Sequence, residues 1–274
     1  MNNSSLSNSQ PLAGRHILVT RPAHQSDAIQ QHLTELGAQC TPLPLLEIQP
    51  VAASDDRYTL IKHQIMNLDL YRVVICISPN AARLAIDWID EYWPQIPVGI
   101  EWFAIGKTTQ SILASAGIEA TCAPKGFDSE AMLDMPDLDQ LDGAKILILR
   151  GQGGRATLEE GLSQRGALVE YANLYDRVCP DYDDSIIESR IYQSPPDSIL
   201  ITSGEALSNF VTVAKGSKNQ FSINPLLHCM LVVPSKRIAD LAKQQGFTKI
   251  IVAQGPDDLA MADALQHNDS EANA

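Results

Sequence analysis

The sequence predicts an α/β fold with parallel sheets, arranged as two similar lobes. Three observations lead there. Short, continuous apolar runs alternate with amphipathic segments. Most of the amphipathic segments end at a glycine. The whole series of units then occurs a second time along the chain.

The apolar runs lie at 16–20, 73–77, 102–105, 146–149, 198–201 and 231–233. Each is bounded by turn residues and is too short for a helix. Continuous β-branched runs of this kind suit parallel strands covered on both faces. Helices are expected at about 24–36, 80–92, 107–116, 155–165, 204–214 and 235–245. Capping types stand near their starts, at Ser26, Asn80, Thr108 and Ser235. Gly37, Gly117, Gly166 and Gly246 stand where helix ends need a left-handed residue. Alternating strands and helices make parallel α/β layers.

The repeat is direct. Aligning the segment from residue 17 with that from 146, without a gap, sets Arg21 against Arg150, Gly37 against Gly166, Ala38 against Ala167 and Glu47 against Asp176. ISPNAARLA (77–85) then resembles ITSGEALSNF (201–210), and the stretch 104–117 resembles one ending at Gly246. A duplicated unit of this size predicts two similar lobes with a ligand between them. Two proline-containing stretches, 42–50 and 174–180, hold equivalent places in the two copies. Proline suits edge or linker strands, so these are expected to be the crossings between lobes.

Composition narrows the function. The 274 residues are ample for two domains, and 45% are hydrophobic. No apolar run approaches the roughly 20 residues of a membrane span. Residues 1–14 are expected to be a disordered extension, without the features of a signal peptide, and 268–274 a frayed tail. Cys40, Cys76, Cys122, Cys179 and Cys229 are scattered and odd in number. They predict buried thiols in a reducing, cytoplasmic compartment. The net charge of −13 disfavours nucleic acid and anionic membranes as partners. It also disfavours an acidic small molecule, unless the binding site overrides the global field.

The six histidines and five cysteines show no metal-ligand spacing, and no G-x-S-x-G nucleophile elbow exists. Gly151, Gly153 and Ala156 satisfy the G-x-G-x-x-A dinucleotide pattern after a strand, with Glu170 ending the next one. A tight turn with close helix–strand packing satisfies it equally. Several strands end in small or hydroxyl-rich turns: Ser78-Pro79-Asn80, Gly106-Lys107-Thr108-Thr109, Gly151-Gln152-Gly153, Ser203-Gly204-Glu205 and Pro234-Ser235-Lys236. Ligands of open α/β sheets bind at strand carboxyl ends, where helix N-termini offer N–H groups to carboxylates or phosphates. On residues alone, an enzyme for an anionic substrate, an NAD-linked oxidoreductase and a non-catalytic anion-binding module all stay open.

Taken in order, ILVTRP, PLPLLEI, ISPNA, AIGKTT, ILILRGQGGR, RGALVEYANLYDR, ITSGEA and VPSKRIADLAKQQGF resemble the uroporphyrinogen-III synthase family over about residues 15–265. The resemblance implies two flavodoxin-like lobes joined by a two-stranded linker. Lobe 1 would combine 15–43 with 181–267, the linker 44–50 with 174–180, and lobe 2 would be 51–173. It implies a cytoplasmic, monomeric enzyme of haem biosynthesis without metal or cofactor. The substrate would be hydroxymethylbilane, a linear tetrapyrrole with eight carboxylates, handed on by hydroxymethylbilane synthase. The product ring forms with loss of water and inversion of ring D.

Tyr175, in the LYDR run, matches the family's tyrosine and is the implied proton donor. A phenol stays protonated at neutral pH and can hydrogen-bond a leaving hydroxyl. Thr109 matches a family threonine at a helix start. Ser78, Asn80, Gly106, Gly151, Ser203, Gly204, Ser235 and Lys236 are the expected binding-turn residues, with Arg21 and Arg150 as carboxylate partners. One departure stands out. Ser235-Lys236-Arg237-Ile238 replaces a threonine pair like Thr108-Thr109, which favours backbone binding there.

Overall fold

Two parallel sheets order the chain, as the alternating runs require. The computed structural model describes residues 10–124, 126, 128–217 and 220–272. Its strands are β1 (His16–Val19), β2 (Gln39–Pro42), β3 (Glu47–Pro50), β4 (Val73–Cys76), β5 (Glu101–Ala104) and β6 (Ala120–Thr121). They continue with β7 (Lys145–Gly151), β8 (Leu168–Val178), β9 (Ser198–Leu200), β10 (Met230–Val233) and β11 (Lys249–Val252). The helices are α1 (Asp27–Glu35), α2 (Asp56–Met66), α3 (Pro79–Tyr92), α4 (Lys107–Ser115) and α5 (Ser129–Leu133). After them come α6 (Thr157–Gln164), α7 (Asp184–Ile187), α8 (Gly204–Val213), α9 (Lys236–Gln244) and α10 (Asp258–Ala272).

The chain divides into two compact units, one of the residues up to Glu47 with those from Val178 onward, the other Ile48–Arg177. In the first unit the strand order is β11-β10-β9-β1-β2. In chain order that is 2-1-3-4-5 read from the β2 side, the flavodoxin-like arrangement. In the second the order is β3-β8-β7-β4-β5-β6. Leaving out β3, β8-β7-β4-β5-β6 matches the first unit strand for strand, with β7 and β8 in the places of β1 and β2. The repeat copies therefore share their strands out: β1 and β2 join β9–β11, while β7 and β8 join β4–β6. Within both of these matching series every pairing is parallel.

Each sheet buries both faces, and the side chains of one strand alternate between them. On β4, Val74 and Cys76 enter one cluster with Leu147 and Leu149. Val73 and Ile75 enter the opposite one with Ile146 and Ile148. In the first unit Leu18, Ile199 and Leu231 face one way and Ile17, Val19 and Leu200 the other. Gly37, Gly117, Gly166 and Gly246 all have positive φ just past α1, α4, α6 and α9.

Several expectations need correction. Asn80 and Thr108 lie inside the first turns of α3 and α4; the caps are Ser78 and Gly106. Ser26 and Ser235 stand at N-cap positions but make no capping side-chain bond. The predicted extension 1–14 is partly structural. Residues 1–9 lie outside the described residues, but Leu12 is buried in the core and its N–H bonds the Leu36 carbonyl at the end of α1. Of the predicted tail 268–274, residues 268–272 continue α10, and 273–274 lie outside the described residues. The chain passes from one unit to the other inside both predicted crossings, after Glu47 and after Arg177, but 42–50 is no bare crossing, because Leu43 and Leu45 are core residues of the first unit. The stretch 174–180 continues β8, an uninterrupted strand of 11 residues beside which β3 lies. All five cysteines are free thiols, but only Cys76 is buried. Cys40, Cys122 and Cys229 are half-buried, and Cys179, just past β8, is exposed.

Candidate active site

The second sheet changes direction between β4 and β7. From β4 the chain proceeds outward through β5 and β6; on the other side of β4, β7 leads to β8. The connections diverge there, and the carboxyl ends of two such strands are the usual ligand position in open α/β sheets. Ser78 follows β4 at this switch point and Gly151 ends β7.

Tyr175 arrives from β8 by a local irregularity. Arg150 pairs with Asn173, but Gly151 pairs with Tyr175, so Leu174 is an extra residue. Strict alternation would send Leu174 and Tyr175 to opposite faces. With the bulge both enter the same core cluster. The ring then lies against Gly151, where a Cβ would come 2.5 Å from Cε2 and 2.6 Å from Cζ. Tyr175 is 5% exposed. Its hydroxyl lies 3.0 Å from Ser78 Oγ, which also accepts the Ala81 N–H at 2.9 Å as the cap of α3. Its carbonyl accepts the Gln152 N–H at 2.8 Å. The structure thus brings together Ser78, just past β4, Gly151, at the end of β7, and Tyr175, within β8, on three neighbouring strands of one sheet that lie far apart in the chain. The glycine pattern acquires a structural reason at its first position: Gly151 is small because Tyr175 covers it.

Beside this cluster, a hollow of about 530 Å³ is lined by Pro79, Gly106, Lys107, Thr108 and Thr109, among others. Gly106 caps α4 without a side chain, so the first-turn N–H groups of α4 keep their donor capacity. Thr109 is almost wholly buried in the α4 first turn. Asn80, in the first turn of α3, accepts from Arg83 at 3.4 Å. In the first unit, Ser203 caps α8 through the Ala206 N–H at 3.0 Å, and Gly204 opens that helix. Ser235 and Lys236 hold the corresponding start of α9.

The two expected arginine partners are committed to protein groups instead. Arg150 is buried; its guanidinium carbon lies 4.7 Å from the Tyr171 ring centroid and its Nε donates to the Gly151 carbonyl at 3.1 Å. Arg21 donates to the Pro256 carbonyl and lies 2.9 Å from Asp258 Oδ1, a charge contact without hydrogen-bond alignment. Packing within each unit took the charges that the repeat had set side by side in the alignment.

Sequence reasoning missed Arg57. In the first turn of α2, it grips Asp176, the neighbour of Tyr175, with Nη1–Oδ1 2.9 Å and Nη2–Oδ2 2.6 Å. It grips Asp55 as well, with Nε–Oδ1 2.9 Å and Nη2–Oδ2 2.6 Å. The guanidinium holds the Asp55 carboxyl down to about 2 and lowers that of Asp176. The only signal for this in the sequence was the pair Asp55-Asp56 just before Arg57, a common surface pattern.

A family model described as uroporphyrinogen-III synthase HemD matches residues 27–263. The chain belongs to the uroporphyrinogen-III synthase family. A relative of that name from Escherichia coli K12 is 31% identical over 254 residues, covering 91% of this chain and 99% of its own. Another, from Salmonella typhimurium LT2, is 32% identical over 251 residues with the same coverage. The fold is shared with the crystal structure of uroporphyrinogen-III synthetase from Helicobacter pylori 26695, with a TM-score of 0.58, 15% identity, and 94% of this chain and 99% of that one covered. A mutant uroporphyrinogen III synthase from Thermus thermophilus aligns with a TM-score of 0.57, 13% identity and the same coverage. The activity of this chain is that of its family: it is a uroporphyrinogen-III synthase enzyme.

Proposed function

We propose that the chain closes hydroxymethylbilane to uroporphyrinogen III, with the Tyr175 hydroxyl as the proton donor for loss of water. The observation that carries this is the contact between Tyr175 and Ser78 at the switch point of the second sheet. Ser78 Oγ already accepts from Ala81, which leaves its own proton to give to the Tyr175 oxygen. The phenol proton is then available to a substrate oxygen. As the C–O bond of the hydroxymethyl group breaks, the electron pair goes to oxygen. The hydroxyl takes the phenol proton and leaves as water, and the pyrrole N–H proton is then given up to the phenolate, which restores the phenol. Ring D then attacks through its substituted carbon, and fragmentation and reclosure invert it.

The substrate also closes by itself to the uninverted isomer, so the protein's main task is geometric. Carboxylates of the substrate are assigned to N–H donors at helix starts, with Lys107 and Lys236 adding charge. In the second unit these are the first turns of α3 and α4, at Ser78, Asn80, Gly106 and Thr109. In the first unit they are Ser203, Gly204, Ser235 and Lys236. Backbone donors suit a chain of net charge −13, because they attract anions locally without basic side chains.

We also propose a cytoplasmic monomer that takes its unstable substrate directly from hydroxymethylbilane synthase. Five free thiols and the absence, among the described residues, of any helix long and apolar enough to cross a membrane support that setting. A coupled assay tests the function. Porphobilinogen and hydroxymethylbilane synthase generate the substrate, and the oxidised porphyrins are separated by chromatography. Predominance of isomer III is expected; isomer I alone, from folded protein, would sink the reading.

A further inference from the structure

We propose that Arg57 is a positioning residue for Tyr175, acting through Asp176; the proposal rests on the reading of Tyr175 as proton donor. The bulge at Leu174 interrupts the register between β7 and β8, and β7 ends opposite Tyr175, so beyond it β8 keeps only β3 as a neighbour. Separate ties add to that neighbour. Val51 N–H takes the Leu174 carbonyl at 3.0 Å, and Gln152 N–H takes the Tyr175 carbonyl at 2.8 Å. Asp176, the next residue, is held by the two-bond fork of Arg57. The same guanidinium reaches Gln152 Oε1 at 3.5 Å, so it touches both the residue after Tyr175 and the residue bonded to the Tyr175 backbone.

Arg57 is itself anchored. Asp55 caps α2 by accepting the Arg57 N–H at 2.8 Å, and its carboxylate accepts from the Arg57 side chain too. The fork is thus tied to a helix start that packs on the same core as Tyr175, through Ile61 and Ile65. Its three charged side chains are 29–34% exposed. Ion pairs exposed to that degree add little to stability. A planar fork bonded to two carboxylates is, however, a strong directional constraint. It fixes the plane of Asp176 and hence the direction in which the preceding residue leaves the strand. A lysine could supply the charge but not the fork.

The test is a double-mutant cycle in the coupled assay. Arg57→Gln should lower kcat about ten- to a hundredfold, the cost of misplacing a reacting group by about an ångström, with a smaller change in KM. Asp176→Asn should behave alike, and Arg57→Lys should fail to restore the rate. In a Tyr175→Phe background Arg57→Gln should cost at most about twofold more, because the group it positions is gone. Losses that multiply in the double variant, or full activity in Arg57→Gln, overturn the proposal while leaving Tyr175 as donor. Full activity in Tyr175→Phe alone overturns the donor reading and the proposal with it. Should Arg57→Gln melt below the assay temperature, the same cycle is run with Arg57→Lys, which keeps both charges of the pair, and Asp176→Asn, which keeps the arginine's.

Discussion

The ring of Tyr175 occupies the space that a side chain at Gly151 would need, 2.5 Å from the position of its Cβ. Gly151 has no positive φ, so the requirement is purely one of room. Gly151→Ala should push the ring out of its seat, destabilise the protein by about 1–3 kcal/mol, and slow the cyclisation. Gly153→Ala makes the contrast: nothing lies within 4 Å of its Cβ, but its φ is +81°. It should cost about 1–2 kcal/mol through backbone strain and leave the Tyr175 seat alone. Thermal melts and the isomer assay compare the two; a larger loss of activity for Gly153→Ala would refute the packing account.

Tyr175→Phe keeps the ring and its packing and removes one hydroxyl. Stability should fall by only about 1 kcal/mol, the usual worth of one hydrogen bond, while turnover drops. Single-turnover rates with hydroxymethylbilane measure this directly. An unchanged rate takes the phenol out of the mechanism.

Ser78 and Ser203 cap α3 and α8 by the same bond to the third residue along. Alanine at either should cost about 0.5–2 kcal/mol. Ser78 alone carries the extra contact to Tyr175. Ser78→Ala should therefore be the more destabilising of the two by about 1 kcal/mol, read from denaturant midpoints. Equal losses would mean that the contact contributes nothing.

Acid should act through Arg57. The Asp55 carboxyl is held down to about 2, and that of Asp176 is also lowered, both first by hydrogen bonds from Arg57. A free aspartate titrates near about 3.9. Groups lowered on folding contribute stability above that value and lose it as pH falls through their folded values. Wild type should therefore lose stability between about pH 4 and pH 2 more steeply than Arg57→Gln, in which both carboxyls return toward the ordinary range. Parallel urea titrations across that window check it; identical slopes would show that the knot is screened out by solvent.

Leu12→Ala tests the ordered part of the amino-terminal segment. Leu12 is 1% exposed. Its truncation should cost about 2–5 kcal/mol, as for other buried leucines. A loss under about half a kcal/mol by calorimetry would place Leu12 outside the core.

Much of this was legible from residues alone. Six strands and six helices follow from short apolar runs and from glycines such as Gly37 and Gly246, because burial on two faces and a left-handed helix end impose local patterns. Among the missed elements, β11 carries such a run, Ile250-Ile251-Val252, but others lacked the pattern. β6 is a two-residue strand, and α2 turns a polar residue, Gln64, inward between Ile61 and Ile65. Ser78, Gly151 and Tyr175 were each singled out, but as separate turns and a linker residue.

The sequence by itself determined the α/β class, the duplication and the family, since these rest on periodicity and ordered motifs along the chain. Tertiary structure alone decided the order of strands within each sheet, so that β7 stands beside β4 and β1 beside β9. It also decided that Arg21 and Arg150 turn to protein partners, that a bulge swings Tyr175 over Gly151, and that Arg57 reaches Asp176 across 119 positions. The physical reason is the range of the interactions. Burial and capping act within a few residues and leave periodic marks, whereas close approaches and ion pairs depend on distances set only when the sheets assemble.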